Sequence, residues 1–166
     1  MKKLVQLHGS NINVHTEEGK GSVFFFQLSL PKGIKGMKIE EINLDSLNDL
    51  HILLAEENAI NAMVLVKLLA KYGIHVDVAN DGAEAIERSN HKAYDVILMD
   101  IHMPEVDGFE AGSTIKSTIN PNQKTPIYAL TADITASTFD QEPSPFTGFL
   151  LKPIEQDKLI KALLSI

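Results

Sequence analysis

From residue 49 to the C-terminus, short apolar runs alternate with longer helix-forming stretches, and this alternation constrains the fold more than any other feature. Runs of four or five largely apolar residues are typical of strands that are buried on both faces. Five such runs occur: His51–Ala55, His75–Ala79, Val96–Met99, Ile127–Leu130 and Gly148–Leu151. Strands that alternate with helices build a parallel sheet, so the pattern predicts an α/β domain with a five-stranded, doubly wound sheet.

The stretch after the first run predicts an amphipathic helix. Asn58–Tyr72 places Ile60, Val64 and Leu68 four residues apart, and this spacing predicts that the three side chains face the sheet. Gly73 follows as the stop signal, because glycine readily adopts the left-handed conformation that ends helices.

Further helices are predicted between the later runs. One begins at Asp81, and others are expected over 109–118 and 154–164. In the helix that begins at Asp81, the residues expected to face the sheet are Ala83, Ala85 and Ile86. Two prolines between residues 134 and 147 leave room for only a short helix there.

The N-terminal segment has a different pattern, which predicts a β-hairpin. Asn11–His15 alternates polar and apolar residues, residues 17–21 have turn chemistry, and Ser22–Leu30 resembles a strand. Phe24–Phe26 is a run of three phenylalanines, which places aromatic rings on both faces of that strand. A hairpin alone is marginally stable in water, so we interpret this segment as the end of a larger domain.

The chain is therefore divided into three parts. We predict a remnant of one domain over residues 1–33, a linker rich in glycine and charge over 34–48, and the α/β domain over 49–166. The first 48 residues carry a net charge of +1 and the remaining residues carry −8, from nine basic and 17 acidic side chains.

Composition excludes several kinds of function. Nucleic-acid binding needs clustered lysine and arginine, which the acidic domain lacks. No apolar run approaches the ~20 residues that span a bilayer, so direct membrane contact is not expected. The absence of cysteine excludes a disulfide framework, a thiolate metal site and a cysteine nucleophile. We expect a cytoplasmic location.

Charged and polar side chains follow the predicted strands at their carboxyl ends, where doubly wound sheets carry their sites. These residues are Glu56, Glu57, Asp100, Thr131 and Lys152. Three neighbouring carboxylates repel one another unless a cation lies among them. Hard oxygen ligands without nearby cysteine suit Mg²⁺ or Mn²⁺, so the sequence predicts a site for one of these ions.

Four stretches of the sequence together resemble the receiver domain of two-component response regulators and hybrid sensor kinases. They are ILLAEENAIN, YDVILMDIHMPEVDGFEA, IYALTA and FLLKPI, and they occur in this order with the spacing of the family. The resemblance covers essentially the whole of residues 51–166. It implies a flavodoxin-like fold, in which the five strands lie in the order 2-1-3-4-5.

The resemblance also implies roles for individual residues. Asp100 is implied as the phosphoacceptor, which takes a phosphoryl group from a phosphohistidine and later loses it by autophosphatase activity. The metal is implied to be bound by Glu57, Asp100, the backbone carbonyl of His102 and, through water, Glu56. The residues implied to contact the phosphoryl group or to switch conformation are Thr131, Lys152 and Phe149. The Lys152–Pro153 peptide bond is implied to be cis.

A second resemblance covers about 30 residues at the N-terminus. KKLVQLHGSNINVHTEEGKGSVFFFQLSLP is similar to the carboxyl-terminal end of a histidine-kinase ATPase domain, with Gly19–Ser22 at its last glycine-containing motif. In this position the glycine motif is interpreted as a hairpin turn, and ATP binding is not expected because the adenine-binding motifs would lie upstream. The two resemblances together imply part of a hybrid sensor histidine kinase.

Three classes of function compete. The first is an active phosphoacceptor whose partner is a histidine-phosphorylated kinase domain or phosphotransfer protein, with association into a homodimer left open. The second is a degenerate receiver that only binds proteins, since Glu57 departs from the aspartate usual in the family. The third is an aspartate-nucleophile phosphohydrolase, which needs a second acid where His102 stands. With no output domain expected after Ile166, a transcription factor is not supported.

Overall fold

The computed structural model describes residues 12–27, 47–132 and 144–166. The chain divides into two compact units, residues 1–42 and 43–166. Most of the predicted linker, residues 34–46, lies outside the described residues, and so does most of the predicted short fourth helix, residues 133–143.

The first unit contains the predicted β-hairpin. Strand β1, Asn13–Glu17, pairs antiparallel with β2, Gly21–Phe25, so that Val14 lies opposite Phe24. Gly19 and Gly21 have φ angles of +78° and +97°, which glycine adopts without strain. The Gly19–Ser22 motif therefore forms the hairpin turn and the start of β2, as interpreted from the sequence.

The second unit is an α/β domain with a five-stranded parallel sheet. Its elements in chain order are β3 His51–Ala55, α1 Ala59–Ala70, β4 His75–Ala79, α2 Gly82–His91, β5 Val96–Asp100, α3 Gly108–Ser117, β6 Ile127–Thr131, β7 Gly148–Leu151 and α4 Gln156–Leu163. The strands lie in the order β4-β3-β5-β6-β7. Counted within the domain this order is 2-1-3-4-5, so the predicted fold class and strand order are confirmed.

Three helices begin at side chains that cap them. The carboxamide of Asn58 accepts hydrogen bonds from the backbone N–H groups of Ile60 and Asn61. Asp81 and Asp107 cap α2 and α3 in the same way. These caps satisfy N–H groups that have no partner within a helix, and they fix where each helix leaves the carboxyl edge of the sheet.

The core lies on both faces of the sheet. One face packs against α1 and α4, through Leu65, Leu69 and Leu159 among others, and the opposite face packs against α2 and α3, through Ala85 and Ile115 among others. Leu47, near the end of the predicted linker, is also buried in the first of these clusters and so packs as part of this domain.

The face that α1 turns to the sheet differs in part from the prediction. The buried residues are Ala62, Leu65 and Leu69. Leu68 is partly buried against the same core, as predicted, whereas Ile60 and Val64 are 72% and 61% exposed. Apolar residues surround most of the circumference of α1, so their spacing alone does not select the buried face. Ile60 and Val64 therefore expose apolar side chains to solvent.

The packing of α2 and of the last helix, α4, can also be compared with the predictions. Ala85 is buried and Ile86 is partly buried, as expected, but Ala83 is exposed. The expected packing of the last helix is confirmed, since Leu159, Ile160 and Leu163 are all buried.

A half-buried ion pair beside β4 gives the domain a pH-dependent contribution to stability. Lys92 Nζ lies 2.7 Å from Asp77 Oδ2, and the Tyr94 hydroxyl donates to the same oxygen at 3.0 Å. The hydrogen bond from Lys92 holds the pKa of Asp77 below its usual value. Burial, and then the bond to Asp77, raises the pKa of Tyr94 to about 12.

We expect Asp77→Asn to lower the free energy of unfolding by about 1 kcal/mol at neutral pH, a value kept small because the pair is partly solvated. A carboxyl whose pKa is lowered by folding stabilises the protein fully above its unfolded pKa of about 3.9. That contribution is lost as the pH falls toward the folded pKa. Urea unfolding of both proteins between pH 7 and pH 3 should show the difference shrinking at the acidic end, and a constant difference would contradict this assignment.

Candidate functional site

Four of the predicted site residues meet at the carboxyl edge of the sheet. Asp100 and Thr131 are the last residues of β5 and β6, while Glu56 and Lys152 directly follow β3 and β7. Because adjacent parallel strands end at the same edge, these residues become neighbours although 96 positions separate the first from the last. Glu56 and Asp100 are only 1% and 5% exposed, so their charges lie in a largely dehydrated environment.

Lys152 joins the two buried carboxylates. Its Nζ lies 2.7 Å from Glu56 Oε2 and 2.6 Å from Asp100 Oδ2. Burial alone would lower the pKa of Lys152, but hydrogen bonds and charges from Asp100 and Glu56 outweigh burial and raise the pKa above its usual value. Lys152 is therefore a firmly protonated cation between two acids. The peptide bond to Pro153 is cis, as the resemblance implied.

The other oxygen of each carboxylate accepts a hydrogen bond from the chain that follows its strand. Asp100 Oδ1 accepts from the backbone N–H of His102 at 3.2 Å. Glu56 Oε1 accepts from the backbone N–H of Asn58 at 3.2 Å and from Asn61 Nδ2 at 3.1 Å. Sequence reasoning missed Asn61, although a carboxamide in the first turn of the helix after an acid pair could have indicated it.

Glu57 does not share the contact with Lys152 that joins Glu56 and Asp100. It is exposed, and it makes no hydrogen bond or ion pair with another residue in the described part of the chain. Among those residues, no group of three or more histidine, aspartate or glutamate side chains is arranged to hold a metal ion. The structure thus brings together two of the three predicted carboxylates.

The donor atoms at the edge nevertheless fit a hard divalent cation. Glu56 and Asp100 have carboxylate oxygens at this edge, His102 lies in the loop after β5, and Glu57 adjoins Glu56 in sequence. Mg²⁺ prefers such oxygen ligands and keeps several waters, so it does not need a complete cage of protein side chains.

Thr131 and Phe149 lie on the neighbouring strands β6 and β7. Thr131 is buried, and its carbonyl accepts a hydrogen bond from the backbone N–H of Lys152 at 2.7 Å. Phe149 is partly buried and packs edge-on against Phe146 with ring centroids 5.7 Å apart. Phe146 in turn packs edge-on against Phe109, at 4.9 Å, so the predicted switch residue belongs to a row of three rings.

A cavity of about 450 Å³ opens between α1 and the residues after β7. Its apolar wall includes Val64, Leu68 and Ile154, and its polar end is formed by Glu56, Asn61 and Lys152. The exposed apolar residues Ile60, Met63 and Val64 of α1 continue this wall onto the surface, and we call these three residues the α1 stripe.

The comparisons with known proteins identify the family. The sequence profile described as "Response regulator receiver domain" matches residues 52–164, and the chain belongs to this family. Autoinducer 2 sensor kinase/phosphatase LuxQ of Vibrio vulnificus is 34% identical over 172 residues, which cover 99% of this chain and 20% of that protein. Sensor histidine kinase AruS of Pseudomonas aeruginosa is 32% identical over 98% of this chain and 16% of that protein.

Solved receiver domains have the same fold. The receiver domain of sensor histidine kinase PA1611 from Pseudomonas aeruginosa, solved with a magnesium ion coordinated in its active site cleft, matches with a TM-score of 0.65 and 30% identity. The match covers 70% of this chain and 96% of that one. The receiver domain of Ssk1 from Saccharomyces cerevisiae, crystallised with the histidine phosphotransfer protein Ypd1, matches with a TM-score of 0.61 and 26% identity, over 70% of this chain and 87% of that one.

The family and the relatives place this chain in two-component phosphorelay signalling, as a receiver domain related to those of hybrid sensor kinases. The chain spans about a fifth of the length of these curated relatives. In the part that the structure describes, no helix is long and apolar enough to cross a membrane.

Proposed function

We propose that Asp100 accepts a phosphoryl group from a phosphohistidine. A carboxylate oxygen of Asp100 attacks phosphorus, and an O–P bond forms as the N–P bond of the donor breaks. The electron pair leaves with the imidazole nitrogen, which takes up a proton from water. The observation that carries this proposal is the burial of Asp100 at the end of β5, within 2.6 Å of the Lys152 ammonium.

Each neighbour of Asp100 has a role in this proposal. Lys152 neutralises charge that would otherwise oppose the approach of a phosphoryl group to a buried carboxylate. Thr131, at the end of the adjacent strand, would donate its hydroxyl to a phosphoryl oxygen. A shift of Thr131 toward that oxygen would change the packing near Phe149, and such two-state packing changes carry signals in proteins.

Mg²⁺ is the metal that these residues fit best, with Mn²⁺ as a chemically similar substitute. The proposed ligands are Asp100, Glu57 and the carbonyl of His102, with Glu56 acting through water. When bound, the ion supplies positive charge that stabilises the phosphoryl oxygens during transfer. The magnesium ion in the active site cleft of the PA1611 receiver supports this assignment.

The proposed role of Glu57 leads to a prediction about metal affinity. Glutamate is longer than aspartate by one methylene, and holding the longer side chain in one rotamer costs up to ~1–2 kcal/mol. We expect Glu57→Asp to bind Mg²⁺ about tenfold more tightly, and to be phosphorylated faster at limiting metal. Metal titrations of the two proteins provide the measurement. Equal or weaker affinity in the aspartate variant would mean that Glu57 is no handicap.

The α1 stripe is the proposed docking surface for the phosphohistidine donor. Ile60, Met63 and Val64 expose apolar side chains beside the cavity, whose polar end contains Glu56 and Lys152. Exposed apolar patches that border a site mark protein interaction surfaces. The Ypd1 complex of the Ssk1 receiver supports a histidine phosphotransfer protein as the class of partner.

Val64→Asp is expected to slow transfer from a histidine-phosphorylated phosphotransfer domain by tenfold or more, because it places a charge in an apolar interface. Phosphorylation by acetyl phosphate, a small donor that needs no docking surface, should be unchanged. The matched control is Ala83→Asp, which adds the same charge to an exposed site on α2. Equal slowing in both variants would show that net charge, and not the stripe, determines transfer.

We also propose that residues 1–33 are the end of a histidine-kinase ATPase domain, 34–48 a linker and 49–166 the receiver, within a cytoplasmic part of a hybrid sensor kinase. The matches to LuxQ and AruS support this assignment, because they extend through the hairpin as well as the receiver and cover 98–99% of this chain.

Intact-mass spectrometry after incubation with acetyl phosphate and Mg²⁺ tests the proposed function. A gain of one phosphoryl group is expected. The exposure of Glu57 favours one other candidate, a degenerate receiver that acts only as a binding module. An unchanged mass, with binding to a phosphotransfer protein retained, would establish that alternative and overturn the proposal.

A further inference from the structure

Among the described residues, Asn61 and Lys152 are the two whose side chains donate hydrogen bonds to Glu56. Asn61 Nδ2 donates to Oε1 at 3.1 Å, while Lys152 Nζ lies 2.7 Å from Oε2. The backbone N–H of Asn58 also donates to Oε1, at 3.2 Å. Each oxygen of this 1% exposed carboxylate therefore has a different set of partners.

This division of partners matters because the terminal torsion of a glutamate is broad and roughly two-fold. Without fixed partners, the plane of the Glu56 carboxylate would turn easily about this bond, and neither oxygen would stay directed at Lys152. With Oε1 held by two N–H donors at the start of α1, Oε2 remains directed at Lys152 and hence toward Asp100.

Asn61 lies in the first turn of α1, but its side chain donates a hydrogen bond to Glu56 and does not cap the helix. Asn58 is the N-cap, and Asn61 is the third residue of the helix, where a side chain often reaches back to the N-cap N–H. Here that N–H donates to Glu56 instead, and so does the Asn61 carboxamide. Asparagine is also a poorer helix former than alanine, so helix stability does not explain its presence.

We propose that Asn61 is a positioning residue for phosphoryl transfer, which acts by orienting the Glu56 carboxylate. This inference rests on the proposed function of Asp100 and of the acids beside it. Asn61 also lines the cavity next to the α1 stripe, so a docked partner would lie close to the group that orients Glu56.

The test compares Asn61→Ala with the unaltered protein. We expect phosphorylation by acetyl phosphate at limiting Mg²⁺ to slow about tenfold and Mg²⁺ affinity to fall several-fold, because a hydrogen bond to a buried charge is lost. Urea unfolding should show that the variant remains folded, because one hydrogen bond is lost while alanine is the better helix former. Asn61→Gln, which keeps the donor on a longer side chain, should recover part of the rate, and exposed Lys67→Ala on the same helix should change neither property.

The same substitution made in the Glu56→Ala variant tests whether Asn61 acts through Glu56 or in some other way. In Glu56→Ala there is no carboxylate to orient, so adding Asn61→Ala should have no further effect on rate or affinity. Normal rate and affinity in Asn61→Ala, or an undiminished effect in the Glu56→Ala background, would overturn the inference while the proposed function stands. If the unaltered protein gains no phosphoryl group, the proposed function fails and this inference fails with it.

Discussion

Asp100→Asn is expected to abolish phosphorylation while leaving the domain folded. The amide has nearly the shape of the carboxylate, but it is not a nucleophile toward phosphorus. Lys152 lies between Asp100 and Glu56, so it retains one ion-pair partner in the variant. We therefore expect the free energy of unfolding to change by no more than about 1–2 kcal/mol, far less than would be needed to unfold the domain.

The measurement combines intact mass after incubation with acetyl phosphate and a urea unfolding curve. Asp95→Asn is a suitable control, because Asp95 precedes the same strand and lies at its opposite end. That variant should still gain one phosphoryl group. Phosphorylation of Asp100→Asn would show that another residue is the acceptor.

Lys152→Met is expected to produce the largest loss of stability of any single substitution considered for this site. Methionine preserves much of the side-chain volume but removes the cation that lies between two buried carboxylates. Leaving such charges without a partner typically costs about 3–5 kcal/mol. The free energy of unfolding in metal-free buffer should fall by about this amount, and phosphorylation should be lost with it.

Lys158→Met provides the matched control. Lys158 also pairs with a glutamate, Glu155, at 2.9 Å, but both side chains are largely exposed. Exposed pairs contribute about 0–1 kcal/mol, so this variant should remain nearly as stable as the unaltered protein. Addition of Mg²⁺ should restore part of the stability of Lys152→Met by replacing the missing positive charge. Equal stability of the two variants would contradict the role assigned to Lys152.

The architecture of the receiver could be predicted from the sequence because its signals are local and repeated. Short apolar runs such as Val96–Met99 have no polar face to place in solvent, so they indicate strands of a covered parallel sheet. The buried face of α1 could not be predicted in this way. Ile60 and Val64 have helical spacing, yet Leu65 and Leu69 are the residues that pack against the sheet. Packing between distant elements decided that choice.

The candidate site likewise contains residues that could be predicted from the sequence and residues that could not. Asp100, Glu56 and Lys152 were predicted to meet because each directly ends or follows a strand, and topology alone brings such positions together. Glu57 is one residue further along the chain, and its side chain lies in solvent. The contact of Asn61 with Glu56 depends on how the first turn of α1 is oriented, which strand patterns do not specify.

The central claim, that Asp100 is the phosphoacceptor of this receiver, is tested most directly by locating the phosphoryl group on the chain. After incubation with acetyl phosphate and Mg²⁺, treatment with borohydride reduces an acyl phosphate to an alcohol and so marks the acceptor in a stable form. Peptide mapping by tandem mass spectrometry should then find homoserine in place of Asp100 and nowhere else. An unmodified Asp100, or a mark at another aspartate, would contradict the account.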